Sequence, residues 1–493
     1  MHALHRSPPR ATAQLATPRA HAAAAALAAA LATALGGCAA GPAYRPPAFD
    51  TAPQYLAQAP AFTAAAPDER WWTAYRDPLL DELVAAALAD SPDLLAAEAR
   101  VRAARALQRV AGAAALPQLE ARGDISRDKL SSNGENFANL PFANPRTEFT
   151  DYRVGFDASW ELDFAGRTRR ALEAAAARVG SALESRNQAR VVLAAEVVSG
   201  YVGYRVGQQR VALAGETLAA YAQTAQLVDL QRAAGLASEL ERLRAAAELR
   251  SAEAVVPPLQ AETASALYRL AALVGQQPAA LAPRLAAAAP VPTSPDAVPV
   301  GLPSDLLRRR PDLRRAEREL AAATADVGVA VAEQYPRFSL TGDVGLDSIR
   351  SGDLTSAASR YWNFGPQLTV PLLAGGRLRA QVSAREATRD AALQSYRAAV
   401  LGALADTESA LIRYAGEQAR ATSLATSQTA LDRTLALARQ RFGVGETAFT
   451  DVLDVQRQRN QLADQQLQSA GQLALDFASL HKALGGGWSG ESR

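Results

Sequence analysis

Residues 154–163 alternate without a break: Val154, Phe156, Ala158, Trp160 and Leu162 share one parity, Asp157, Ser159, Glu161 and Asp163 the other. Charges at every second position cannot face a protein core. An apolar row opposite a charged row suits a strand between lipid and water. After Pro117 the same alternation sets Leu119, Ala121, Gly123 and Ile125 against Gln118, Glu120, Arg122, Asp124 and Ser126. In the second half, Phe338, Leu340, Val344 and Leu346 alternate with Ser339, Thr341, Asp343 and Asp347, and Leu368, Val370 and Leu372 with Gln367 and Thr369. The predicted strands cover about 117–127, 152–163, 336–347 and 361–373.

Between the strands the pattern is helical. Helices are predicted from near Trp72 to Ala89 and from Asp93 to Ala115, broken by Asp90-Ser91-Pro92. Gly166-Arg167 then opens a stretch with no proline from Thr168 to Val256, with a break near Gly235. From Arg167 to Ala233 an unbroken helix would be about 100 Å long at about 1.5 Å per residue. Such a helix needs lateral partners along its length, so a coiled-coil-like bundle is implied. A further helix is expected over about 238–274. In the second half helices are expected at about 304–333, 377–441 and 447–484.

The second half repeats the first. Ser91-Pro92-Asp93-Leu94 recurs as Arg310-Pro311-Asp312-Leu313, Pro117 as Pro336, and Gly123-Asp124 as Gly342-Asp343, all at one offset. At a slightly smaller offset Gly155 matches Gly365, Gly166-Arg167 matches Gly376-Arg377, and Gly235 matches Gly445. A repeat of roughly 210 residues is too long for a solenoid unit. It reads as a duplicated half, with structural repeats at 72–275 and 304–484. The seven prolines of 276–303 read as a linker or irregular collar between the repeats, and the Gly-rich 485–493 as a flexible tail.

Composition sharpens this. Hydrophobic residues make up 49% of 493, but aromatics only 6%, because alanine supplies much of the total; that favours long helices. Net charge is +2, and the excess lies in Arg6, Arg10 and Arg19 of the first 37 residues, so the rest is close to neutral and gives no support to a nucleic-acid partner. Arg308-Arg309-Arg310 is read as a solvated helix face. The apolar run from about Ala22 to Leu35 is too short to span a bilayer and fits a signal-peptide core, so 1–37 is read as a signal peptide. It ends in Leu35-Gly36-Gly37-Cys38, which resembles a bacterial lipobox. Cys38 would then carry covalent lipid; the alternative is a lone cysteine after an ordinary signal peptide. Ala39 following it points, by that sorting pattern, to the outer membrane. The prolines of 38–71 suggest an extended, lipidated tether.

Four strands cannot close a barrel, and open edges are not tolerated in hydrocarbon. Closure therefore needs further copies: two would give eight strands, three twelve. Periodicity does not choose. The segment Trp160-Glu161-Leu162-Asp163-Phe164-Ala165-Gly166-Arg167 resembles the strand-to-helix signature of TolC-type outer membrane factors, as does Pro371-Leu372-Leu373-Ala374-Gly375-Gly376-Arg377. Leu302-Pro303-Ser304-Asp305-Leu306-Leu307-Arg308-Arg309-Arg310-Pro311-Asp312 resembles their lipoprotein branch (NodT/OprM-like), and Leu480-His481-Lys482-Ala483-Leu484-Gly485-Gly486-Gly487-Trp488 their C-terminal helix end. The resemblance covers about residues 40–488. It implies a mainly α fold with a membrane β-barrel: a homotrimer forming a 12-stranded barrel in outer-membrane lipid and a periplasmic α-helical tunnel. It also implies a periplasmic adaptor protein and an inner-membrane pump, taken as proton-driven, that hands small molecules or drugs to a passive duct. A type I protein-secretion duct is the alternative within the family, and a non-pore helical scaffold lipoprotein the alternative outside it.

The resemblance also places a periplasmic gate. Asp451 and Asp454 lie three apart on one helix face, and matching positions in TolC-type channels line the entrance. With three chains around one axis they would form carboxylate rings, which bind cations. Glu241 stands where the family often has an acid. Phe442 and Thr447 stand where some relatives have Tyr and Arg, so this gate is expected to lean on apolar packing. The competing reading makes Asp451 and Asp454 solvated charges near Arg457. Arg167 and Arg377 sit at helix starts, which is unfavourable for cations, so a cross-chain partner is expected at the Gly166, Arg167, Gly376, Arg377 junctions. Trp160, Tyr361, Trp362, Phe364 and Phe149 read equally as a membrane-interface belt or as junction packing.

An enzyme is disfavoured. Of four histidines, His2, His5 and His21 fall in the signal segment, leaving His481; Lys129 and Lys482 are the only lysines, and no phosphate-binding loop occurs. No metal site and no cofactor beyond the lipid on Cys38 is expected.

Overall fold

The computed structural model describes residues 39–131, 147–444 and 446–489. Cys38 and Gly445 lie outside the described residues, as do the signal segment and most of the first strand-to-strand loop. In chain order the elements are β1 (Phe62–Thr63), a 3₁₀ turn at Trp71–Tyr75, α1 (Pro78–Asp90), α2 (Pro92–Ala113), β2 (Gln118–Lys129) and β3 (Glu148–Leu162). Then come α3 (Arg167–Ala233), α4 (Glu239–Leu273), α5 (Pro278–Leu285), β4 (Val298–Pro299), α6 (Leu306–Arg309) and α7 (Pro311–Ala332). β5 (Arg337–Ser348), β6 (Arg360–Thr369), α8 (Arg377–Gly443) and α9 (Phe449–Ala483) complete the order. The duplication is visible in lengths: α3 and α8 both have 67 residues, α4 and α9 both 35, and α2 and α7 both 22. No helix among the described residues is long and apolar enough to cross a membrane.

The chain forms two compact units. The first, built from residues 39–44, 108–175 and 323–389, carries an antiparallel sheet in the order β2-β3-β5-β6. Register keeps the alternation of each strand in step. Ala121, Phe156, Val344 and Trp362 stand opposite one another across the sheet, and so do Leu119, Ala158, Gly342 and Phe364. This face is apolar and open: Phe156, Val344, Trp362 and Phe364 are all more than half exposed. The opposite face carries Glu120, Asp157, Asp343 and Asn363 in one row and Arg122, Gly155, Gly345 and Tyr361 in another. β2 and β6 are the edges, each with one side unpaired among the described residues.

β6 stops at Thr369 rather than 373, so Val370 and Leu372 are not strand residues. Pro371 explains this, since it has no N–H for a ladder and restricts the residue before it. The segment after Cys38 is docked rather than a free tether. The Ala40 N–H donates to the Ala165 carbonyl (3.0 Å), and Arg170 donates to the carbonyls of Ala40 (3.1 Å) and Gly41 (3.3 Å). Gly41 has φ +83°, and a Cβ there would lie 2.5 Å from the Gly328 Cα.

The second unit comprises residues 45–107, 176–322 and 390–489 of the described chain. Its core gathers Trp71, Leu80, Leu83, Tyr201, Leu270, Leu281, Leu285, Tyr414, Phe477 and Leu480. Tyr75 donates its hydroxyl to the Ala474 carbonyl (2.6 Å), and Asp77 caps α1 by accepting from Leu79 and Leu80. The 276–303 stretch is more ordered than a linker: Pro278 starts α5, Leu281 and Leu285 are buried, and β4 pairs in parallel with β1. Gly485 to Trp488 of the expected tail are docked too. The Trp488 indole donates to the Arg309 carbonyl (2.9 Å), and Arg314 lies over its ring.

Arg308-Arg309-Arg310 is not a uniformly solvated face. Arg308 is exposed, but Arg309 donates to the Pro67 carbonyl and Arg310 is buried. Arg310 pairs with Asp312 (2.7 Å) and Asp406 (3.4 Å) and donates to the Ala483 carbonyl (3.1 Å). It takes an extended conformation (ψ 117°) before Pro311, which is what separates α6 from α7.

Candidate functional site

Two helix turns in the second unit carry the expected gate residues. At the first, Gly235 (φ +75°) ends α3, and the Leu236 N–H reaches back to the Gln231 carbonyl (2.8 Å). Gly235 supplies the left-handed residue that closes a helix C-terminus. Ser238 then opens α4 with a reciprocal cap: its hydroxyl accepts from the Glu241 N–H (3.2 Å), and the Glu241 carboxylate accepts from the Ser238 N–H (2.7 Å). These bonds to Ser238 hold the Glu241 carboxyl below the usual range. Glu241 is therefore occupied as a cap. Beside it, Arg242 holds the Glu239 carboxyl down at about 2.

The second turn is built differently. Ala448 precedes α9 and offers no side-chain cap. The Thr447 hydroxyl is buried without a hydrogen-bond partner among the described residues. Apolar packing holds the turn: the Phe442 and Phe449 rings lie 5.6 Å apart, and Phe449 and Leu453 pack with Tyr221, Val228, Ala245 and Ala252 of the first repeat. That seats Phe449 and Leu453 inward and leaves Asp451 and Asp454 exposed on the other side of α9. Asp451 stands in the first helical turn, where the free N–H groups favour a carboxylate. Asp454 faces Arg457 (3.5 Å), and Arg457 also pairs with Glu248 of α4 (2.8 Å). The sequence pattern marks both aspartates but not Glu248, which belongs to the other repeat.

The strand-to-helix junctions lie in the first unit. Gly166 has φ +80°, and a Cβ there would meet Ala39 at 2.8 Å. Arg167 has a partner within the chain: Glu161 accepts two hydrogen bonds from it, both 3.0 Å. Asp163 caps α3 by accepting from the N–H groups of Thr168 (3.1 Å) and Arg169 (2.9 Å). The alternating acids Glu161 and Asp163 are thus partly spent on the helix start. Gly376 repeats the positive φ (+82°), but Arg377 is exposed and makes no ion pair among the described residues. Trp160 donates its indole N–H to the Ala115 carbonyl (2.9 Å), a junction contact, whereas Trp362 stands 78% exposed on the apolar face.

On the polar sheet face Tyr361 lies across two glycines. A Cβ on Gly155 would meet its hydroxyl at 3.0 Å, and one on Gly345 its ring at 2.9 Å. Arg153 sits over the same ring and pairs with Asp347 (2.8 Å). No group of acids, histidines or cysteines that could hold a metal occurs among the described residues.

Comparison with known proteins fits this architecture. The outer membrane efflux protein family matches residues 83–276 and 302–486. Nodulation protein T of Rhizobium leguminosarum bv. viciae is 30% identical over 454 residues, 92% of this chain and 91% of that protein. Outer membrane protein OprJ of Pseudomonas aeruginosa is 33% identical over 462 residues, covering 92% and 93%. The solved structure of the outer-membrane channel OprN superposes with a TM-score of 0.84 at 36% identity, covering 92% of this chain and all of that one. The fold and these matches define an outer-membrane channel of the efflux class. The chain belongs to the outer membrane efflux protein family.

Proposed function

We propose that three copies of this chain close a 12-stranded barrel and act as the exit duct of a tripartite efflux system, fed by a periplasmic adaptor and a proton-driven inner-membrane pump. The observation that carries this is the sheet: four strands, one open apolar face, and two unpaired edges. Pairing β6 of one copy with β2 of the next satisfies both edges, as hydrocarbon requires. Lipid on Cys38 would anchor the docked segment that begins at Ala39.

Asp451 and Asp454 are proposed as the gate. Both are exposed, and Arg457 and the apolar cluster of Phe449 and Leu453 fix the helix that presents them. In planar bilayers the purified protein is expected to give small, cation-preferring conductance that multivalent cations block. Replacing Asp451 and Asp454 with Ala should relieve that block. Unchanged block in the double variant would remove the gate assignment.

A further inference from the structure

The apolar face of the sheet is hollowed near its middle. Leu119, Ala158, Gly342 and Phe364 form one row across the four strands, with small residues at its centre. Trp160 and Leu340 stand in the row on one side, Phe156 and Val344 in the row on the other. Together they bound an open bowl of about 370 Å³. Phe364 leans over its floor, where a Cβ on Gly342 would lie 3.1 Å from the ring. Pleating sends the Ser159, Thr341 and Asp343 side chains to the other face, so the bowl takes hydrocarbon and offers a polar headgroup almost nothing.

An apolar track leads from the bowl to the start of the described chain. Leu162 and Phe338 pair next along β3 and β5, and the Phe338 ring meets Phe164 edge-on at 5.1 Å. Ala165 follows, and its carbonyl accepts the Ala40 N–H. Ala39 lies against Gly166, so the peptide that continues from Cys38 is held at the foot of the track. From Trp160 to Phe156 along β3 is about 13 Å at about 3.3 Å per residue; one leaflet's share of the bilayer core is about 15 Å. We infer that one acyl chain on Cys38 runs along this track and fills the bowl, which makes the lipid a part of the outer wall and not a free anchor. The inference rests on the lipidation of Cys38 proposed above. Free lipids also wet this wall, but a chain tethered at Cys38 reaches the bowl at far higher effective concentration.

The test is photocrosslinking of the full-length protein in cells fed a fatty acid that carries a diazirine and an alkyne. After illumination and trypsin, mass spectrometry should join the peptide that begins at Cys38 to residues 154–167, 338–350 or 361–377. Ala158→Leu fills the floor and should lower that crosslink by about threefold or more, with the acyl mass on Cys38 unchanged. Ala121→Leu, on the same face but outside the bowl, should leave the crosslink as it was. Equal crosslinking in both variants, or a bowl that traps label unattached to Cys38, would overturn the seating of the chain's own lipid and leave the anchor standing. An N-terminal peptide without an acyl chain would overturn the anchor and this inference with it.

Discussion

At the residue scale, two buried polar side chains carry consequences. His481 is 1% exposed, stacks on Trp71 (5.2 Å, 3° between planes), and has no hydrogen-bond partner among the described residues on either ring nitrogen. Burial, with Arg309 nearby, lowers its pKa to about 3 against an opposing pull from Asp68. An unfolded histidine titrates near 6.5, so below that pH the unfolded chain binds a proton that the folded chain does not. Stability therefore falls as pH drops from about 6.5 toward 3, by about 1.4 kcal/mol per pH unit from this group. His481→Phe should flatten the dependence of the melting midpoint on pH between about 6.5 and 4.5; a parallel profile would show that other groups carry it. Arg310 is the second case. Arg310→Ala strands Asp312 and leaves buried carbonyls unpaired, and should destabilise by about 3–5 kcal/mol, seen as a lower melting midpoint in detergent.

At the element scale, much was legible in the sequence. Alternation located all four long strands, because lipid on one side and water on the other impose period two. The offsets located α3, α8, α4 and α9, since a duplicated half must keep its helix lengths. What escaped was long-range. Arg310 looks like its exposed neighbour Arg308 until Ala483 and Asp406 are folded against it. Trp488 and Ala40 dock on residues far away in the chain, and local pattern contains no record of that. The partner that Arg167 has within the chain was missed because Glu161 was assigned wholly to the strand. The paired sheet glycines make a further prediction: Gly345→Val places a side chain against the Val154 carbonyl and the Tyr361 ring, and should reduce the yield of assembled oligomer in the membrane fraction.

At the scale of the whole molecule, closure by self-association has a direct geometric test. Asn363→Cys in β6, combined in turn with single cysteine substitutions along 118–128 of β2, should give intermolecular disulfides with a period of two, because only one parity shares a face. Crosslinks at no position, or with no periodicity, would refute edge pairing. The two turns that carry the proposed gate residues also differ in how they are fastened. α4 begins with a reciprocal cap at Ser238 and Glu241, while α9 begins at Ala448 with none. A good cap is worth about 1 kcal/mol; α4 has that contribution at its first turn, whereas α9 relies there on the packing of Phe442 and Phe449. In the gate proposed above, the hairpin with the reciprocal cap would be the doorpost and the other the leaf, and the leaf is the one that bears Asp451 and Asp454.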